Sequence, residues 1–253
     1  MANNTIKKVL VVGGANGIGL SIATEFANRS DVETVYIVDK ANVPVEYNHE
    51  KFIYRQFDLT EQDYSIFDQY VDIDALMFTV GFGHLALFRD LTEEHILSSF
   101  QVNTLTAIRV IKHFYNRLQS ADVTFRCGVM VSIAGFMSSP FFSVYAATKA
   151  ALKVFIESVN VELEKTGSCN CILNVSPGSL KGTSFSGKAT DLSQTSDIAK
   201  EIITHLENGD DLFIPMYDEI FHNVLERYHA DFREEGRHSF DYKIASGRVT
   251  VKP

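Results

Sequence analysis

The stretch IKKVLVVGGANGIG, residues 6–19, decides the fold of this 253-residue chain. A strand buried on both faces of a sheet is predicted over 6–14, because after two lysines the chain runs as continuous, mostly β-branched apolar residues up to the glycines. Gly13, Gly17 and Gly19 then mark a turn into a predicted helix over 17–29. The N-terminal amides of such a helix form a ready anion site, and the pyrophosphate of a dinucleotide is its natural occupant. A tight turn without a ligand is the alternative.

Short apolar runs alternate with longer amphipathic stretches along the rest of the chain. Further strands are predicted at 34–39, 51–59, 74–81, 127–135, 169–178 and 211–216. Further helices are predicted at 63–70, 92–118, 143–166 and 195–208. This alternation predicts an α/β protein with a single-domain Rossmann-type doubly wound parallel sheet flanked by helices, over 1–253. Residues 179–192 suit a substrate lid, with an ordinary surface loop as the alternative, and 216–253 form a C-terminal tail.

Asp39 ends the second predicted strand, 20 residues after Gly19. A carboxylate at this place can accept hydrogen bonds from the adenosine ribose hydroxyls, and it would repel a 2′-phosphate. We therefore expect NAD as the cofactor, with NADP possible because the neighbouring Lys40 could attract that phosphate. A solvated acid at the end of a strand is the alternative for Asp39.

The bulk composition excludes several classes of function. The net charge is −9 and no Lys/Arg-rich block occurs, so neither nucleic acid nor a membrane is an expected partner. Three cysteines without a framework spacing favour a reducing compartment, and no metal site is expected from them or from the histidines. The first apolar run is too short for a signal peptide or a membrane span, which favours a cytoplasmic protein.

Six short motifs occur in an order that resembles the short-chain dehydrogenase/reductase family in its compact form. They are GGANGIG at 13–19, FDLT at 57–60, QVNTL at 101–105, MVSIAG at 130–135, YAATK at 145–149 and NVSPGSLKGT at 174–183. No single motif is decisive, but their joint order and spacing make the match strong. The resemblance implies an NAD(P)-dependent oxidoreductase that interconverts an alcohol and a carbonyl on a small molecule. It also implies a homodimer or homotetramer built on the fourth and fifth helices.

The resemblance assigns roles to individual positions of this sequence. It implies a catalytic set of Ser132, Tyr145, Lys149 and Asn103. Asp58 would lie beside the adenine amino group, and Thr183 would contact the nicotinamide carboxamide. The full set of implied cofactor contacts is Gly13, Asn16, Gly17, Ile18, Gly19, Asp39, Asp58, Leu59, Gly81, Tyr145, Lys149, Pro177, Gly178 and Thr183.

Tyr145 and Lys149 lie one turn apart on a predicted helix, and together they indicate proton transfer. An unperturbed tyrosine titrates near 10, which makes it a sluggish base at neutral pH. We expect the positive charge of Lys149 to lower the pKa of Tyr145, so that the phenol can take or give a proton. Ser132 would hydrogen-bond the substrate oxygen, and Asn103 would anchor a water-mediated relay.

Two departures from the family pattern concern the turn after the fourth strand and the residue before Gly13. The family usually has Asn-Asn-Ala-Gly where this chain has Phe78-Thr79-Val80-Gly81, and a threonine where it has Val12. The asparagines usually brace the sheet through side-chain hydrogen bonds. A protein that binds NAD(P) as a sensor and turns nothing over is therefore the alternative function, although a sensor need not keep the serine, tyrosine and lysine.

Overall fold

The computed structural model describes residues 5–183, 185 and 190–249, and its centre is one seven-stranded sheet. The strands are β1 (Lys8–Val12), β2 (Thr34–Asp39), β3 (Phe52–Gln56), β4 (Ala75–Phe78), β5 (Arg126–Met130), β6 (Ile172–Val175) and β7 (Leu212–Phe213). Their spatial order is β3-β2-β1-β4-β5-β6-β7, and every pairing is parallel. The predicted doubly wound parallel sheet is confirmed.

The central strand β1 shows why residues 9–12 of the opening run are all apolar. Alternate side chains of β1 point to opposite faces of the sheet. Val9 and Val11 join one hydrophobic core, in which α1 (Gly17–Ala27) and α6 (Ser196–Asn208) pack on the sheet. Leu10 and Val12 join a second core on the other face, together with residues of the helices α3 (Thr106–His113) and α5 (Ser143–Lys165).

The predicted helix over 92–118 is interrupted twice. It begins as α2 (Glu93–Phe100), widens into a π turn at Gln101–Leu105, continues as α3, and breaks at Phe114 before α4 (Tyr115–Leu118). The π turn directs Asn103 and Thr104 inward, where both bond to Thr148 of α5. These buried hydrogen bonds explain the wider turn. They could not be predicted from the spacing of apolar residues in the sequence.

The remaining differences from the predicted elements are smaller. Strand β2 has the predicted bounds. The other strands are shorter than predicted, because the apolar runs continue into loops beyond the last ladder hydrogen bond. The predicted helix over 63–70 is a 3₁₀ helix at Ser65–Tyr70. The C-terminal tail forms α7 (His222–Ala230) and α8 (Phe232–Ala245). Among the helices of the described residues, none is both long and apolar enough to cross a membrane.

Candidate active site

The glycine turn lies at the carboxyl end of β1, where the strand order reverses between β2 and β4. Ligands of open α/β sheets bind at this switch point. Gly13 and Gly17 adopt φ angles of +88° and +52°, a region that favours glycine. A Cβ at Gly19 would lie 2.2 Å from the Gly13 carbonyl oxygen, so only glycine lets α1 approach the turn this closely.

Thr79 holds the glycine turn to the neighbouring strand. Its hydroxyl donates to the carbonyl oxygens of Val12 and Gly13, at 3.0 and 2.9 Å. Its backbone N–H also donates to the Val12 oxygen, at 2.8 Å. One threonine thus braces β1 and β4 where the family pattern has asparagines, and sequence reasoning did not assign it this role.

Thr79→Val should destabilise the protein by about 1–3 kcal/mol, because the variant keeps the shape but leaves buried carbonyls without the hydroxyl donor. Thr79→Ser keeps the hydroxyl and should stay within about 1 kcal/mol of the wild type. Urea unfolding of the three proteins measures the difference. Equal loss in both variants would show that the methyl group, and not the hydrogen bond, matters at this position.

The amides of the glycine turn meet oxygen atoms of this chain. The Gly17 N–H donates to the hydroxyl of Thr190 at 2.9 Å. The Ala15 N–H donates to the carboxylate of Asp39 at 3.0 Å, and the other oxygen of that carboxylate accepts from the Ala41 N–H at 3.0 Å. The turn therefore binds oxygen atoms with backbone donors, as a pyrophosphate site requires, and Asp39 lies directly beside it.

Ser132 and Tyr145 come together from different elements. Ser132 follows β5 and opens a short 3₁₀ turn, in which its hydroxyl accepts from the Ala134 N–H at 3.1 Å. Tyr145 lies in the first turn of α5. The Ser132 hydroxyl lies close enough to the phenol to act on its pKa, which it lowers. This contact places a second hydroxyl on the phenol that is predicted to carry the proton.

Lys149 is buried, with 2% of its surface exposed, and lies one turn along α5 from Tyr145. Its ammonium donates to the carbonyl oxygen of Met130 at 2.9 Å and lies 5.9 Å from the centre of the Tyr145 ring. Burial lowers the pKa of Lys149 to about 7. The lysine is therefore only partly charged at neutral pH.

The prediction that Lys149 lowers the pKa of Tyr145 is wrong. Burial raises the pKa of Tyr145 to about 12, and the Ser132 hydroxyl beside it opposes this only in part. The reason is that both groups lose hydration together. A lysine that is itself partly neutral supplies little positive charge to a neighbouring phenol.

The lowered pKa of Lys149 should appear in the pH dependence of stability. Between pH 7 and 10.5 the unfolded chain binds a proton at this lysine and the folded chain mostly does not. Stability therefore rises with pH across this window, by at most about 1.4 kcal/mol per unit from this group. The full cost of burying the charge is present below pH 7, and it is gone above 10.5.

Lys149→Met removes this titration while keeping the apolar stem. The difference in unfolding free energy between wild type and variant should move in favour of the wild type as pH rises from about 7 to about 10. Taking the difference cancels other groups such as Lys243, whose pKa burial lowers to about 8. A difference that does not change with pH would contradict the buried, neutral lysine.

Asn103 is fully buried and holds the loop after β4. Its side-chain oxygen accepts from the Phe82 N–H at 2.9 Å, and its amide donates to the Phe82 oxygen at 2.8 Å and to Thr148 at 3.1 Å. A Cβ at Gly81 would lie 3.1 Å from the Lys149 nitrogen and 3.5 Å from the Asn103 oxygen. Asn103 and Lys149 thus flank the same glycine, and Thr148 is a partner that the motifs did not reveal.

The other predicted cofactor residues lie around this crevice. The carboxylate of Asp58 accepts from the Thr60 N–H and hydroxyl, at 2.9 and 2.8 Å, and these bonds lower its pKa. Leu59 beside it is buried. Asn16 is the N-cap residue of α1, and Ile18 packs at the edge of the core.

The segment after β6 returns to the glycine turn. The Pro177 carbonyl accepts from the Ile133 N–H at 3.1 Å, and Gly178 lies against Phe221. Thr183 is buried beside Gly17, where a Cβ on the glycine would lie 3.5 Å from it. Of the predicted lid over 179–192, residues 184 and 186–189 lie outside the described residues, so the lid stays a prediction.

Comparisons with known proteins agree with this geometry. The sequence profile of the short chain dehydrogenase family matches residues 7–194. Elsinochrome reductase 1 of Elsinoe fawcettii is 32% identical over 195 residues, which are 69% of this chain and 68% of that protein. A short chain dehydrogenase/reductase of Claviceps purpurea is 24% identical over 189 residues, which are 70% of this chain and 64% of that protein.

A solved structure shows the same fold. The short chain dehydrogenase of Burkholderia cenocepacia, determined in complex with NADP, has a TM-score of 0.74 at 18% identity, over 93% of this chain and 98% of that one. The profile match covers well over half of the sequence and includes the glycine turn, Ser132, Tyr145 and Lys149. The chain belongs to the short-chain dehydrogenase/reductase family, whose members are NAD(P)-dependent oxidoreductases that act on CH–OH groups.

Proposed function

We propose that this oxidoreductase interconverts an alcohol and a carbonyl on a small molecule, with Tyr145 as the acid/base. The observation that carries the proposal is the placement of the Ser132 hydroxyl beside the Tyr145 phenol, with the buried Lys149 ammonium 5.9 Å from the centre of the Tyr145 ring. A phenol paired with a second hydroxyl can transfer a proton to the oxygen of a carbonyl, or accept one from an alcohol. The hydroxyl of Ser132 supports the charge that develops on that oxygen.

A nicotinamide cofactor held here would donate the hydride to a carbonyl or accept it from an alcohol, while residues of this chain would hold the cofactor and transfer the proton. The backbone amides of the glycine turn suit the pyrophosphate, because the Gly17 N–H already bonds an oxygen. Lys149 suits the nicotinamide ribose, since its nitrogen lies beside Gly81 near the carboxyl end of β4. Asn103, beside the same glycine, would then connect Lys149 to solvent through a water.

We infer a preference for NAD over NADP. The carboxylate of Asp39 lies next to the Ala15 amide, so it is placed to meet the adenosine ribose hydroxyls. A 2′-phosphate would meet that negative charge. Lys40 is the competing feature, because its ammonium could attract the phosphate, and its charge also helps to lower the pKa of Asp58 on the adenine side.

The test combines cofactor binding with turnover. Affinities of the wild-type protein for NADH and NADPH are measured by fluorescence, and nicotinamide absorbance then follows a panel of aldehydes, ketones and alcohols. The proposal predicts tighter binding of NADH and its oxidation with at least one carbonyl. Binding without turnover across the panel would favour the sensor instead.

We also propose that the chain forms a homo-oligomer through α2 and α5. Val154 and Val161 are 57% and 56% exposed and lie seven residues apart, on one face of α5. Leu97 of α2 is 63% exposed, and the two helices pack against each other. Such exposed apolar side chains on adjacent helices are typical of a subunit interface.

The double variant Val154→Glu, Val161→Glu should sediment as a smaller species than the wild type, because two carboxylates would be buried unpaired in the interface. Val45→Glu is the matched control, since Val45 is 90% exposed in the short 3₁₀ helix Val45–Tyr47 before β3. Sedimentation velocity at several concentrations gives the answer. An unchanged assembly in the double variant would place the interface elsewhere.

A further inference from the structure

Three aromatic rings meet at Gly83, on the loop that follows β4. A Cβ at Gly83 would lie 3.0 Å from Phe142 and 3.1 Å from both Phe185 and Tyr145. The centre of the Tyr145 ring lies 5.4 Å from that of Phe142 and 5.3 Å from that of Phe185. The missing side chain of Gly83 therefore lets flat rings lie against the backbone beside the phenol that is proposed to move the proton.

These rings are not part of the packed cores on the two faces of the sheet. Phe142 and Tyr145 are partly exposed, and Phe185 is 46% exposed. They also come from separate segments of the chain, since Phe142 precedes α5 and Phe185 follows β6. A cluster that is partly open to solvent and centred on the acid/base residue is a ligand surface rather than core filling.

The Phe142 side of this surface is fixed by the residue before it. Phe141 has a φ angle of +65°, and its carbonyl accepts from the Ala86 N–H at 2.9 Å. Its buried ring stacks on Phe240 of α8 with centres 4.5 Å apart. The Phe185 side has a different character, because that ring is more exposed and belongs to the segment after β6.

Two lysine side chains lie near the faces of these rings. The ammonium of Lys149 lies 5.9 Å from the centre of the Tyr145 ring, and that of Lys243 lies 5.7 Å from the centre of the Phe142 ring. Cations are attracted to the faces of electron-rich rings, so the Lys243 ammonium helps to hold the Phe142 ring in place. The ring surfaces that meet at Gly83 favour an aromatic ligand, which can pack on them, over a polyhydroxylated one such as a sugar.

We infer that the substrate is a flat aromatic ketone, or the corresponding secondary alcohol, whose ring takes the place that Phe185 occupies here. This inference rests on the proposed function, because it assigns the substrate class of the same site. The substrate ring lies against Gly83 and Phe142, which brings its carbonyl to the hydroxyls of Tyr145 and Ser132. Phe185 marks the position, since it is an aromatic ring that already packs on the phenol.

Binding and turnover are tested separately. In the protein holding NAD, calorimetry compares 2-naphthamide, which cannot be reduced in this way, with its saturated decahydro analogue. We expect the aromatic amide to bind about tenfold more tightly, in the range of measured aromatic pair effects. Turnover is then compared for 2-acetonaphthalene and methyl decahydronaphthyl ketone, which have the same carbon skeletons.

Phe142→Leu removes one ring of the site, and Phe232→Leu is the matched control at an exposed phenylalanine of α8. The aromatic preference in binding and in kcat/KM should fall to about threefold or less in Phe142→Leu and stay unchanged in Phe232→Leu. Dividing wild-type by variant rates for each ketone cancels their different intrinsic reactivity.

The outcomes separate the two proposals. If the wild type binds the two amides equally, the assignment of an aromatic substrate is wrong, and this holds even if Phe142→Leu does not fold. The proposed interconversion of an alcohol and a carbonyl is not affected by that result. Aromatic preference in binding, without oxidation of NADH by any ketone or aldehyde, overturns the proposed function and the substrate assignment with it. A preference for the aromatic compound in both amide binding and ketone turnover supports both the proposed function and the aromatic substrate.

Discussion

Tyr145→Phe is expected to lower kcat by roughly 10²–10⁴-fold, the usual contribution of a positioned general acid or base. The variant keeps the ring that packs against Phe142 and Phe185, and it removes only the hydroxyl that lies beside Ser132. The affinity for NADH should stay within about twofold of the wild type. Initial rates with a carbonyl substrate and fluorescence titration of the cofactor give both quantities.

The matched control for this experiment is Tyr242→Phe, at an exposed tyrosine of α8. It should leave kcat unchanged. The proton role of Tyr145 would be contradicted if Tyr145→Phe retained more than about a tenth of the wild-type kcat with unchanged cofactor affinity. A second acid near Ser132 would then have to serve the reaction.

Asp39→Asn is expected to weaken binding of NADH by about 10–100-fold, because hydrogen bonds to a charged group contribute about 1.5–3 kcal/mol. The amide can still accept one of the two backbone hydrogen bonds that the carboxylate now receives from Ala15 and Ala41. The affinity for NADPH should rise, since the charge that repels a 2′-phosphate is gone. Dissociation constants for both cofactors measure the change in preference.

We expect Lys40 to determine how far Asp39→Asn shifts the cofactor preference from NADH toward NADPH. In the Asp39→Asn background, Lys40→Ala should lose much of the gain for NADPH, because the Lys40 ammonium is the cation that directly follows Asp39 along the chain. Lys40→Ala alone should leave NADH binding nearly unchanged. If Asp39→Asn weakened both cofactors equally, Asp39 would serve to hold the turn at Ala15 rather than to select the cofactor.

The sheet could be predicted because each buried strand appears in the sequence as a short run of apolar residues. Strands that are apolar on both faces, separated by amphipathic helices, allow few other folds. The bounds were less accurate, because hydrogen bonds and not hydropathy end a strand. The π turn at Gln101–Leu105 depends on buried bonds to Thr148, which no local pattern contains.

The residues of the site were predicted from the sequence, but the pKa shift of Tyr145 was not. Spacing and family resemblance brought Ser132, Tyr145 and Lys149 together, and in the structure they lie side by side. The sign of the pKa shift at Tyr145 was wrong, because it depends on how much water surrounds the phenol and the lysine. The brace at Thr79 was also missed, although a hydroxyl within an otherwise apolar run after β4 was the available signal.

The most direct test of the central claim is the ionisation of Tyr145 with and without NAD⁺. Ultraviolet difference titration of the wild type against Tyr145→Phe isolates this one phenol. Without cofactor it should titrate far above the ordinary value, with a pKa of about 12. With NAD⁺ bound, the added positive charge should lower that pKa below the unperturbed value of about 10. A phenol that titrates at the same high pH in both states would contradict Tyr145 as the group that moves the proton.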